Sequence, residues 1–331
     1  LSFESEGAYL GAMEMALSAH NCGGFVIAQV RRVAENGSIR PHDVHVPGIL
    51  VDHVVEAPDM LQTTATPYDP AISGELIRPL DSFQIPEFGV QKVIARRVAQ
   101  ELHAGWSVNI GFGVSANVPR IFLEEGQHGA VTWVIEQGAV GGIPLLDFKF
   151  GCASNAEAYV ASPHQFAYFQ AGGFDCSLLS FLEIDAEGSV NVSRLSATPH
   201  RTAGAGGFVD ITARAKSIVF SGTFNAGAKM RIENGKLVID QEGHTAKFVE
   251  KVDQVSFSGR RAKEQGQKAT YVTERCVIEL GPEGLLVTEI APGLDLERDV
   301  LGQSATPLEV APDLVVMDAK LFQPGLIGLA P

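Results

Sequence analysis

The chain has 331 residues, enough for about two domains, with 45% hydrophobic and 19% charged residues, values of a soluble globular protein. Its 25 Lys and Arg against 39 Asp and Glu leave a formal charge of −14, which argues against nucleic-acid binding but not against local capture of an anionic cofactor. Strand-sized apolar runs exclude a membrane-spanning helix, and four widely spaced cysteines, Cys22, Cys152, Cys176 and Cys276, argue against a disulfide scaffold or zinc site. They read as buried free thiols of a reducing, cytoplasmic setting.

The chain opens at Leu1 without a signal-peptide pattern and enters a helical pattern over Tyr9–His20, closed by Asn21 and Gly23-Gly24. Phe25–Val33 and Leu50–Val55 read as strands. Ala57–Pro86 is proline-rich without a sustained period and reads as a connector. From Gly89 onward Val90, Val93, Ile94, Val98 and Leu102 share one helix face. Trp106, Val108 and Ile110 alternate as a strand, followed by a helix over Ser115–Glu125 and a strand over Val131–Ile135. Cys176–Leu182 and Ile218–Phe220 are apolar strands. Lys229–Ile239 is a hairpin about Asn234-Gly235, and Tyr271–Leu280 pairs with Leu285–Ile290.

Three glycine-bearing segments each adjoin a strand: Asn109-Ile110-Gly111-Phe112-Gly113, Glu136-Gln137-Gly138-Ala139-Val140-Gly141-Gly142 and Gly204-Ala205-Gly206-Gly207-Phe208. None is a complete P-loop or dinucleotide fingerprint, and tight turns alone would account for them. Glu136 ends an apolar strand, however, and the small residues beyond it leave room for a bulky substrate to reach its carboxylate. The nine histidines form no HExxH or close triad, so no metal site is expected. Lys247, Lys251, Arg260, Arg261, Lys263 and Lys268 make a basic cluster, readable as a solvated face or as contacts to phosphates.

Taken in this order, the segments resemble those of the family I CoA-transferases, most of all the single-polypeptide acetate, propionate and acetoacetate enzymes. His20-Asn21-Cys22-Gly23-Gly24, Val46–Asp52, Ala171-Gly172-Gly173-Phe174-Asp175 and Asp185–Ser193 carry the same resemblance over nearly the whole chain. It implies two open, mainly parallel α/β domains. The first, incomplete, would occupy residues 1–56, a connector 57–88, and the glutamate-bearing second domain 89–331.

The resemblance also assigns roles. Glu136 becomes the nucleophile toward an acyl-CoA thioester. Gly206 and Gly207 supply oxyanion donors, with Asn191 near the thioester. Asn109, Gly111 and Gly113, with Gln137 and Gly138, line the acyl and substrate side. Coenzyme A is then a substrate, no cofactor is permanently bound, and the other substrates are short-chain acids. A homo-oligomer is expected, with an upstream portion in the same chain or a separate one. Hydrolysis of acyl-CoA, or CoA binding without catalysis, are the competing readings.

Overall fold

The computed structural model describes residues 1–194, 200 and 202–331. In chain order its main strands are β1 Ile27–Val30, β2 His53–Glu56, β3 Ser107–Ile110, β4 Thr132–Val134, β5 Ala139–Val140 and β6 Ala158–Tyr159. They continue as β7 Cys176–Ser180, β8 Ser217–Ser221, β9 Lys268–Val272, β10 Cys276–Leu280, β11 Leu285–Ile290 and β12 Glu309–Val316. The chain divides into two compact units, one formed by residues 1–79 with 134–167, the other by 80–133 with 168–331.

In the first unit, β1 and β2 pair in parallel, with Ile27 opposite His53 and Val30 opposite Glu56. The helix Ala12–Asn21 turns Ala16 onto a small core with Val46 and Leu50. The strand expected from Leu50 begins only at His53, because Gly48–Leu50 forms a turn of 3₁₀ helix and Asp52 accepts the Val26 N–H at 2.8 Å. The proline-rich stretch is tied down without regular ladders. Gln62 accepts from Asp69 N–H at 2.8 Å, and Asn155 accepts from Arg78 N–H at 2.8 Å while donating to Arg78 O at 2.9 Å. Within the same unit Val134 pairs with Val140, and β5 pairs antiparallel with β6.

The sheet of the second unit runs β12-β11-β10-β9-β8-β7-β3-β4. Its centre, β3, β7, β8 and β9, is parallel, whereas β10 is antiparallel to both neighbours. All five residues of β8 are buried, as are four of the five of β7, which is why both read as apolar runs rather than alternating strands. The fold is α/β, as expected.

The helix Val90–Ala99 covers this sheet and buries charge as well as its apolar face. Arg97 donates two hydrogen bonds to Glu289, at 2.9 and 2.7 Å, and one to Glu101 at 2.9 Å. Burial alone would raise the Glu101 carboxyl, but Arg97 and Lys268 hold it below the usual carboxylate range. The end of the chain is strapped down by the same region. Arg96 donates to Gln323 O at 2.8 Å, and Glu125 accepts the N–H groups of Ile327, Gly328 and Leu329 at 2.7–3.1 Å.

Two expected elements are split. Ser115–Glu125 is a 3₁₀ turn, Val114–Asn117, followed by an α-helix, Val118–Glu124, whose second residue is Pro119. Tyr271–Leu280 is two antiparallel strands, because Thr273 N–H donates to Cys276 O at 3.0 Å and its hydroxyl oxygen accepts the Cys276 N–H at 3.0 Å. The Asn234-Gly235 hairpin forms as expected, with φ of 52° and 74° at the turn. Among the described residues, no helix is long and apolar enough to cross a membrane.

Candidate active site

Glu136 occupies the tip of a three-residue turn in the first unit. Ile135 N–H donates to Ala139 O and Gly138 N–H to Ile135 O, both at 2.9 Å. Two side chains of the following helix clamp the same backbone: Ser162 Oγ donates to Glu136 O at 2.7 Å, and Gln165 Nε2 to Ile135 O at 3.2 Å. Neither clamp was expected from sequence. The Ser162-Pro163 pair opening the helix Ser162–Gln170 was the available signal, since Pro favours a first turn. The Glu136 side chain is half-buried, and Gln137 Nε2 donates to its Oε1 at 3.3 Å.

The glycines beyond Glu136 are there for the backbone. Gly138 has φ of 121°, and a methyl group there would collide with the carbonyl oxygen of Val160, whose N–H donates to Gly138 O at 2.9 Å. Gly141 has φ of 73° and packs onto the Glu157 side chain, 2.6 Å from where a Cβ would stand. Gly138→Ala therefore forces the turn open. The expected result is a fall in melting temperature and, from displacement of Glu136 by about 1 Å, a loss of activity of about 10²-fold. Circular dichroism melts and initial rates on the same preparation check both; a variant with normal rates would detach the turn geometry from function.

The other expected residues lie in the second unit. Asn109 is fully buried on β3, where its Oδ1 accepts from Ser177 Oγ at 3.1 Å. Gly111 donates to Leu178 O at 2.8 Å, and a Cβ there would lie 3.0 Å from that oxygen. Gly113, with φ of 107°, packs on Ser180, whose hydroxyl donates to Phe112 O at 2.7 Å. Phe112 itself is 61% exposed, at the carboxyl end of β3, where ligands of open α/β sheets collect.

Asn191 and Gly206-Gly207 complete the expected set in the second unit. The Asn191 amide donates to Glu183 Oε2 at 2.8 Å and to Arg194 O, and accepts the N–H groups of Ser193 and Arg194 at 2.9 and 3.2 Å. Ala203 N–H donates to Ser193 O at 2.6 Å. Gly206 has φ of 55°, and Gly207, at −79°, caps the helix Phe208–Arg214. Among the described residues neither glycine's N–H donates to a backbone carbonyl, as befits groups at the start of a helix.

Other calls divide. All four cysteines are free, but only Cys176 and Cys276 are buried, their thiols pushed up to about 12 by burial; Cys22 is exposed and Cys152 half-buried. Phe169 and Phe174 are wholly buried against each other, 5.0 Å between ring centroids, as core.

No family model matches the sequence. The chain is 40% identical over 99% of its length to caffeate CoA-transferase of Acetobacterium woodii, and 36% identical to the acetate CoA-transferase YdiF of Escherichia coli K12. The chain is a relative of the CoA-transferases. It spans 64% and 61% of the length of these two. Its fold superposes on the crystal structure of the YdiF apoenzyme from E. coli O157:H7 with a TM-score of 0.91 at 35% identity, covering 99% of this chain and 62% of that one. A YdiF–thioester complex with CoA matches with a TM-score of 0.90. Glutaconate CoA-transferase of Acidaminococcus fermentans, at 15% identity and a TM-score of 0.52, shares the fold alone.

Proposed function

We propose that this chain is the glutamate-bearing part of an acyl-CoA:carboxylate CoA-transferase working on short-chain acids. The reading is carried by 40% identity to a CoA-transferase along 99% of the chain. The clamped turn that presents Glu136 supports the choice of that carboxylate.

In this mechanism the Glu136 carboxylate adds to the thioester carbonyl, and the C–S bond breaks to release CoA thiolate. An acyl–glutamyl anhydride remains. The thiolate attacks the glutamyl carbonyl, expelling the first acid and leaving a glutamyl–CoA thioester. The second acid then runs the two steps in reverse. Gly206 and Gly207 N–H groups receive the developing oxyanion, and Asn191 lies near the thioester. Asn109, Gly111 and Gly113 shape the acyl side, where glycine keeps the carboxyl end of β3 open. Gln137 and Gly138 keep the nucleophile in place. The reading carries with it a cytoplasmic homo-oligomer and the division of the sequence at residues 57–88.

The test is acetate-dependent formation of acetyl-CoA from propionyl-CoA by the full-length protein, with caffeate as a competing acceptor. Acetyl-CoA matched by released propionate is the expected result. Release of free CoA without acetate would make the protein a thioesterase, and CoA binding without turnover would make it a binding subunit. A strong preference for caffeate would move the substrate class to aromatic acids.

A further inference from the structure

Lys247 differs from the rest of the basic cluster. Lys251, Arg260, Arg261 and Lys268 are exposed; Lys247 and Lys263 are half-buried, and only Lys247 lies against an aromatic ring. Its backbone is fixed: Ile184 N–H donates to Lys247 O at 2.8 Å, and Val249 N–H to Ile184 O at 2.8 Å. The ammonium lies over the ring of Phe181, 4.1 Å from its centroid. Phe181 packs edge-on against Phe248, which stacks on Phe224 at 4.6 Å.

The position is as specific as the environment. Phe181 directly follows β7 and Gly222 directly follows β8, and these two parallel strands are neighbours. A Cβ on Gly222 would stand 3.1 Å from Lys247 Nζ. The cation is thus held at the carboxyl ends of two adjacent parallel strands.

What the ammonium lacks is a counter-ion. Three lysines of the chain are not exposed, Lys92, Lys247 and Lys263. Lys92 pairs with Glu124 at 2.7 Å and Lys263 donates to Pro282 O at 3.3 Å. Among the described residues, Lys247 Nζ has neither a hydrogen-bond acceptor nor a carboxylate within 4.0 Å. The nearest acid by charge, Glu274, is already committed to Phe224 N–H at 2.9 Å and to Arg275 Nε at 3.2 Å. Desolvation pushes the Lys247 amine down to about 8, with Glu274 opposing the shift only in part. A ring face returns less to a cation than the loss of water costs it.

We propose that Lys247 is the cation of an anion subsite at the carboxyl ends of β7 and β8, where it receives a carboxylate or phosphate oxygen of a substrate. The aromatic wall strips the ammonium of water without neutralising it, so the free protein holds a charge whose best partner is an incoming anion. Gly222 keeps the approach to Nζ clear. The identity of that substrate as acid or CoA rests on the CoA-transfer reading; the subsite does not.

The experiment uses the full-length protein with Lys247→Met and Lys247→Arg, measuring KM for acyl-CoA and for the acid separately, beside melting temperatures. Loss of a charge-assisted bond predicts that Lys247→Met raises one KM by about 10-fold or more, with kcat within about threefold. Lys247→Arg should recover most of that loss. A raised KM for the acid identifies a carboxylate, and one for acyl-CoA identifies a phosphate. A second arm does not depend on turnover. Reductive methylation with ¹³C-formaldehyde makes the Lys247 resonance visible, and acetate or inorganic phosphate should shift it saturably. If it does so in a protein without CoA transfer, the transferase reading falls and the subsite stands. If transfer is normal but neither KM nor the resonance responds, the subsite is wrong. Should Lys247→Met fail to fold, the Arg variant and the resonance decide alone.

Discussion

Glu136→Gln is expected to lower CoA transfer by about 10³-fold or more, which is upward of about 4 kcal/mol of transition-state stabilisation. Folding should survive, because the bonds that build the turn are made by the backbone of residues 135–139 and by Ser162 and Gln165, not by the Glu136 carboxylate. Gln keeps the length and an acceptor oxygen but cannot supply an anionic nucleophile. Incubating the unmodified protein with acyl-CoA and no acceptor should leave a covalent CoA adduct, visible as added intact mass and mapping to the peptide that carries Glu136. Hydroxylamine should cleave it and borohydride should reduce it. Glu136→Asp retains the charge but withdraws it by about one methylene, so it too should lose about 10²-fold. An adduct on another carboxylate, or a Gln variant with near-normal rates, would sink the assignment.

The sequence made legible those features that depend on local composition and period. The helix over Val90–Ala99 followed from apolar residues three and four apart, and the hairpin at Asn234-Gly235 from a dipeptide that accepts positive φ at both positions. The buried central strands were visible as apolar runs, which is how parallel strands covered on both faces read. What stayed hidden depended on side-chain partners far apart in sequence. Ser162 and Gln165 clamp a turn some 26–30 residues upstream, a pairing that no local pattern announces. The break at Thr273 is made by one hydroxyl competing for ladder hydrogen bonds inside a continuous β-forming run. Lys247 looked like one cation among six, and only burial against Phe181 sets it apart. The resemblance pointed to Asn191, and no local pattern announced that its amide bonds Glu183, Ser193 and Arg194.

Gly207→Pro is expected to cut kcat by about 10²–10³-fold while the protein still folds, because it deletes one oxyanion donor and little else. Backbone donors cannot ordinarily be removed by mutation, but this position permits it. Gly207 has φ of −79°, within the range a pyrrolidine ring imposes, and it stands at the start of the helix Phe208–Arg214, where an N–H has no intrahelical partner. The residue before it is Gly206, so of the two groups a proline ring crowds, the Cβ and the N–H, only the N–H is present. Binding of acyl-CoA should weaken far less than kcat falls, since an oxyanion exists only once the carboxylate has added to the thioester. Accumulation of the anhydride or the glutamyl–CoA thioester should slow in the same proportion, which intact mass against time would follow. As a control, Gly207→Ala keeps the N–H and a negative φ, and should retain most of the activity. If Pro and Ala behave alike, the donor lies elsewhere on the loop; if Pro alone fails and the melting temperature holds, the oxyanion is received at Gly207.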